Sequence, residues 1–324
     1  RLVGSEMCIR DRKYDYLYTS GYLQNSKVDL TTLENRRDLA YAVQDQSQQE
    51  VLKLIFKAVE MTGNKNVVLS GGYALNCVAN YWYLDKLNKE DIKLYVEPVS
   101  SDAGTAIGAA LLLYHQLTKD KKVRSYTETI YEGFKYNLTL NDIDNIAEKY
   151  GATTSDVDHK KVVEIIRDKN IVALWQDRSE NGPRALGNRS LLFDPTIEDG
   201  KDHVNRVKRR EYFRPFAGTI MLDHANDWFD MRGLEQSPHM MYAMNCKDGV
   251  AEKIPSIIHV DGTCRIQTVT QEQNKHYYDI IKEFYDQSGV PIIFNTSFNL
   301  GGEPLVETLD CLLYTSDAAD EGFC

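Results

Sequence analysis

Three short apolar runs in this chain each lead into residues that favour a turn. Residues 66–69 lead into Ser70, Gly71 and Gly72; residues 171–175 lead into a Gly/Pro loop holding three arginines; residues 290–294 lead into Asn295, Thr296 and Ser297. Short apolar runs stopped by such breakers suit buried strands. Helix-like stretches separate them, at 33–62, 73–87, 105–117, 140–150, 160–169 and 271–287. In the first, Leu39, Val43, Val51, Leu52, Leu54, Ile55, Ala58 and Val59 form an apolar stripe of helical period. Further strands are expected at 91–96, 216–222 and 256–260. This alternation predicts an α/β chain, and ligands of open α/β folds bind where strands end in turns.

At 324 residues the chain is long enough for two domains. The polar, charged stretch 119–129 is the expected linker. No apolar stretch approaches the roughly 20 residues of a membrane span, and no secretory signal is visible. The six cysteines form no Cys-x-x-Cys pair, so reduced thiols in a cytoplasmic setting are expected. A net charge of -10 counts against a general nucleic-acid binder. The ends do not read like the middle: 1–12 lack periodicity and 311–324 break off an organised segment, so both are expected to be non-native tails.

The loop after 171–175 is the most charged feature. Residues 178–189 read Arg-Ser-Glu-Asn-Gly-Pro-Arg-Ala-Leu-Gly-Asn-Arg, and 206–214 add five more cations. From 178 to 214 there are nine Lys/Arg against six Asp/Glu, a local positive excess in an acidic chain. Guanidinium forks on a rigid turn match the paired oxygens of phosphate or carboxylate. An island of this size suits a small anion better than a polyanion; a solvated, salt-bridged face is the alternative. The Arg178 loop, the Lys208-Arg209-Arg210 cluster and the Asn295–Asn299 turn could converge on one ligand. A fourth segment brings His259, Asp261 and Arg265 to a strand end, where His259 is either a site group or a structural histidine. In the first part, Gly71-Gly72 could present backbone N–H groups to a phosphate, or be only a tight turn. Asp102, ahead of a helix, is either an N-cap or a metal-binding carboxylate.

Six motifs then carry a family resemblance. Leu69-Ser-Gly-Gly-Tyr-Ala-Leu-Asn-Cys-Val-Ala-Asn80, Ser101-Asp-Ala-Gly104, the Gly-Pro-Arg-Ala-Leu-Gly-Asn-Arg-Ser run of 182–190, Arg210-Glu-Tyr-Phe-Arg-Pro-Phe-Ala217, His259-Val-Asp-Gly-Thr263 and Asn295-Thr-Ser-Phe-Asn299 resemble, in order, the O-carbamoyltransferases of nodulation-factor, cephamycin and aminoglycoside pathways. The resemblance runs from about residue 13 to 310. It implies the C-terminal part of an actin-like ATPase-fold domain over 13–125 and a threonylcarbamoyl-adenylate synthase-like α/β domain over 126–310.

It also implies a two-step reaction. Carbamoyl phosphate and ATP would give carbamoyl-adenylate in the later domain, and an acceptor hydroxyl on a sugar or natural product would take the carbamoyl group in the earlier one. Lys208-x-Arg210 and Ser297-x-Asn299 match the Lys-x-Arg and Ser-x-Asn signatures of the synthase-like domains. The first pair is expected at the phosphates, the second at the adenylate and carbamoyl ends. Arg178, Arg184, Arg189 and Arg214 would supplement them, with His259 a weaker candidate. Gly71, Gly72, Asn76 and Gly104 are expected nucleotide contacts, Mg would accompany ATP, and Asp102 matches the family's metal-binding aspartate, which holds iron in some members. The family's His-x-x-x-His pair is missing, and His115 is the sole histidine before His159. Transfer is therefore expected to be incomplete in this stretch, with no membrane or nucleic-acid partner. A tRNA threonylcarbamoyl-modifying enzyme and a non-catalytic nucleotide-binding module remain as alternatives.

Overall fold

A computed structural model describes residues 31–120 and 130–311. The expected tail at 1–12, nearly all of that at 311–324 and most of the expected linker lie outside the described residues. The chain divides into two compact units at Ser100/Ser101.

In the first unit, helix α1 (Leu33–Thr62) starts at Thr32, whose hydroxyl accepts from the Asn35 amide at 3.3 Å, and stops at Gly63 in a left-handed conformation. Strand β1 (Asn66–Leu69), helix α2 (Cys77–Leu87) and strand β2 (Lys93–Val96) follow. The strands are parallel, with Asn66 opposite Lys93 and Leu69 opposite Val96, so a crossover helix must join them. Ile55, Ala79, Tyr83, Leu87 and Ile92 form the core against Val67, Leu69 and Leu94. The helix expected over 73–87 is broken at Asn76, because its side-chain oxygen caps α2 by accepting from the Ala79 amide at 3.1 Å.

The second unit opens with α3 (Asp102–Thr118), capped by Ser101 and without a buried side chain. Then come α4 (Leu140–Lys149), α5 (His159–Arg167), β3 (Val172–Trp175), β4 (Arg189–Phe193), α6 (Gly200–Val207), β5 (Ala217–Met221), α7 (Leu222–Trp228), β6 (Ala243–Asn245), β7 (Thr263–Val269), α8 (Lys275–Ser288) and β8 (Ile292–Ser297). One mixed sheet runs β3-β4-β8-β5-β7-β6, with β5 and β7 parallel and the other neighbours antiparallel. The last strand therefore lies inside the sheet, bonded on both edges, and it continues through Asn295, Thr296 and Ser297, where a turn was expected, because both neighbouring strands pair with it there. Its Phe294 packs on Phe193 and Phe216, ring centres 6.0 and 4.5 Å apart. Helix α8 buries Tyr277, Ile280, Ile281 and Phe284, and α5, which buries Val163 and Ile166, packs against it.

The strand expected at 256–260 is absent. Pro255 instead opens a 3-10 turn, Pro255–Ile257, a first-turn position that suits its locked φ and missing N–H. The strand is β7, whose polar Gln267 and Thr268 are buried all the same. Strand β4 was also hidden, because it begins with a buried arginine. No described helix is long and apolar enough to cross a membrane.

Candidate active site

The carboxyl end of β8 is where the loops meet. Lys208 caps the C-terminus of α6 and is 2% exposed. Its amine donates to the Ser297 carbonyl, to the Asn299 carbonyl at 2.6 Å and to Asn299 Oδ1 at 3.0 Å. Ser297 Oγ in turn donates to Asn299 Oδ1 at 2.6 Å. The Gly301 amide returns to the Lys208 carbonyl at 2.7 Å. A Cβ on Gly301 would stand 2.9 Å from the carbonyl oxygens of Lys208 and Arg209, so a glycine is required for the two turns to approach. From the other flank, the Phe298 amide donates to the Arg189 carbonyl at 3.0 Å and Asn295 Nδ2 to the Ala185 carbonyl at 3.1 Å.

Beside this knot lies the cation cluster. Arg210 donates from Nε to Asn205 Oδ1 at 2.6 Å, and its guanidinium lies 4.1 Å from the centre of the Phe216 ring. Its Nη2 is buried without a hydrogen-bond partner among the described residues. Burial, then the charges of Arg214 and Arg265, push its pKa down to about 9. Burial, then Arg210 and Arg214, push the Lys208 amine well below its usual range. Arg214 is paired to Glu211 at 2.6 Å. Arg265 on β7 stands opposite Ala217 on β5, next to Phe216. His259 Nε2 is 3.1 Å from the Phe216 carbonyl and Nδ1 3.1 Å from Thr263 Oγ1; burial lowers its pKa. Clustered cations of lowered pKa repel one another, and an anion among them would relieve that repulsion.

The structure thus brings Lys208, Arg210, Arg214, His259, Ser297 and Asn299 together. It uses Arg189 differently: this buried side chain donates to the carbonyls of Gln176 at 2.6 Å, Asn188 at 2.8 Å and Asp177 at 3.2 Å, and lies 4.4 Å from the Trp175 ring centre. Arg178 is exposed and donates to the Gly133 carbonyl at 2.8 Å. Arg189 fastens its own loop, and Arg178 ties that loop to the segment around Gly133. Arg184 is half-buried, next to the Ala185 carbonyl that Asn295 holds. Among the residues not singled out beforehand, Asn205 orients Arg210 and Glu180 gathers backbone amides; neither carries a motif, and a lone carboxylate among arginines was the only available signal for Glu180.

In the first unit, Gly71 and Gly72 are exposed. Asn76 has both ends of its amide engaged, since Nδ2 donates to Gln44 Oε1 at 3.0 Å while Oδ1 caps α2. In the second unit, Gly104 lies in the first turn of α3, its amide on the Ser101 carbonyl at 3.0 Å. Asp102 is the exposed first residue of that helix. Among the described residues, no three His, Cys, Asp or Glu side chains gather as a metal set. Asp102 by itself does not make a metal site.

Fold and site define an α/β protein with a cluster of cations at a strand end. Residues 163–320 match the family model described as Carbamoyltransferase C-terminus, and 10–111 that described as Carbamoyltransferase N-terminus. The chain belongs to the carbamoyltransferase family of enzymes. It is similar to nodulation protein NolNO of Sinorhizobium fredii, 32% identical over 85% of this chain and 41% of that one. Nodulation protein NolO of Bradyrhizobium diazoefficiens is 32% identical over 87% of this chain and 52% of its own length. The 3'-hydroxymethylcephem-O-carbamoyltransferase of Amycolatopsis lactamdurans is 29% identical over 79% and 46%. The chain spans about half the length of these curated relatives.

Proposed function

We propose that the second unit forms carbamoyl-adenylate from carbamoyl phosphate and ATP, and that the whole protein passes the carbamoyl group to a hydroxyl of a small molecule. Water would cleave carbamoyl phosphate to carbamate and phosphate. A carbamate oxygen would then attack the α-phosphorus of ATP, and the bond to pyrophosphate would break. In the transfer step the acceptor oxygen attacks the carbamoyl carbon, AMP leaves and the hydroxyl proton is released. The observation that carries this reading is the cluster of buried Lys208 with the half-buried Arg210 and Arg214. The two substrates together bring about six negative charges, which such a cluster would hold close and stabilise as charge shifts between oxygens.

Within the cluster the roles differ. Lys208 spends its hydrogens on the Ser297–Asn299 turn and acts on the ligand through its charge and by shaping that turn. Arg210 has the free donor, Nη2, and is the direct phosphate ligand. Mg would enter with ATP. The cephem relative's printed name supports a hydroxylated small-molecule acceptor.

The test supplies the protein with ATP, Mg and carbamoyl phosphate and measures pyrophosphate. Release that depends on carbamoyl phosphate and vanishes in Arg210→Met is expected. Absence of release from a full-length protein overturns the reading. Carbamoyl label recovered on tRNA, rather than on a hydroxylated small molecule, would reassign the acceptor.

A further inference from the structure

We infer that Glu180 is a positioning residue for the carbamoyl phosphate site, acting through the loop that carries Arg184; the inference rests on the function proposed above. Glu180 is buried, and its Oε1 accepts three backbone amides: Leu186 at 2.7 Å, Asn188 at 2.8 Å and Arg189 at 3.3 Å. The Ala185–Leu186 peptide is gripped from both sides. Its N–H points to Glu180 and its carbonyl receives Asn295 Nδ2 at 3.1 Å, opposite directions across a trans peptide.

The neighbouring atoms leave the loop no slack. The Leu186 carbonyl accepts from the Tyr131 hydroxyl at 2.7 Å and from Gln267 Nε2 at 3.0 Å. Gly187 has φ +112°, and a Cβ there would lie 2.2 Å from the Tyr277 ring. The Arg189 carbonyl then holds the Phe298 amide at 3.0 Å, inside the Ser297–Asn299 turn. Through these contacts one carboxylate oxygen sets two parts of the donor site: the peptide next to Arg184, and the turn that Lys208 grips.

A role of this kind depends on reach, not on charge. Glutamine keeps an oxygen at the same distance without the charge; aspartate keeps the charge but falls short by one C–C bond, about 1.5 Å. With carbamoyl phosphate-dependent pyrophosphate release as the assay, Glu180→Gln should keep KM for carbamoyl phosphate within about 2-fold. Glu180→Asp should raise it about 10-fold or more while kcat and KM for ATP move less than about 3-fold. Equal behaviour of the two variants, a larger loss in the glutamine variant, or a loss confined to kcat would overturn the inference. Amide hydrogen exchange on the unmodified protein tests the grip even if Glu180→Asp does not fold: Leu186 and Asn188 should exchange as slowly as core strand amides, and fast exchange there overturns it. If the unmodified protein releases no pyrophosphate, the proposed function fails instead, whatever the exchange rates show.

Discussion

At the residue scale, arginines within one short stretch do opposite work, and substitution should separate them. Arg189 gives its donors to three loop carbonyls and stacks on Trp175. Lysine there cannot match the planar fork. Arg189→Lys should lower unfolding free energy by ~3 kcal/mol, read from urea denaturation, and raise KM for carbamoyl phosphate less than Arg210→Lys does. Arg210→Lys should do the reverse, raising that KM about 10-fold with a smaller effect on stability. The charges themselves were legible in the sequence, and the fold brings Lys208 onto Ser297 and Asn299, two segments the sequence had offered as convergent. What was not legible is which donors the fold consumes. The carbonyls that claim Arg189 belong to residues 176, 177 and 188, and only the folded loop turns them inward.

At the scale of elements, the turn after β3 is as constrained as a strand. Gly187→Ala would force a side chain onto a positive-φ backbone and into the Tyr277 ring. It should destabilise the second unit by more than ~3 kcal/mol, seen as a lower Tm, and should impair pyrophosphate release in whatever fraction folds. The strands of strong apolar period, β1, β3, β5 and β8, were readable in advance. Strands β4 and β7 were not, because Arg189 and Gln267 are buried polar residues whose partners only the fold supplies: Arg189 on the carbonyls of its own loop, and Gln267 on Thr219 at 2.9 Å and on the distant Leu186 carbonyl. Period alone treats such residues as exposed, and tertiary hydrogen bonding overrides it. Pro255 misled in the opposite sense, since an apolar run beside it became a short turn.

For the whole molecule, acid should be the weak side. Burial lowers the pKa of His203, His239, His259 and His276, that of His239 to about 4. The unfolded chain takes up these protons near pH 6.5, the folded one only at lower pH. Stability is therefore fully present above about pH 6.5 and declines as pH falls through the folded values. His239 alone contributes a loss of ~3 kcal/mol by pH 4. Urea midpoints falling steadily from pH 7.5 to pH 5 are the expected result; a flat profile would refute it. The Lys208 amine has a further consequence under working conditions. Carbamoyl phosphate slowly sheds cyanate, which caps lysines through the nitrogen lone pair. Lys208 is 2% exposed, so the folded protein keeps the reagent from that amine even though burial favours its neutral, nucleophilic form, and exposure to the proposed donor should leave it intact. Mass spectrometry after cyanate treatment should find exposed Lys53 and Lys161 modified and Lys208 spared until the protein is unfolded.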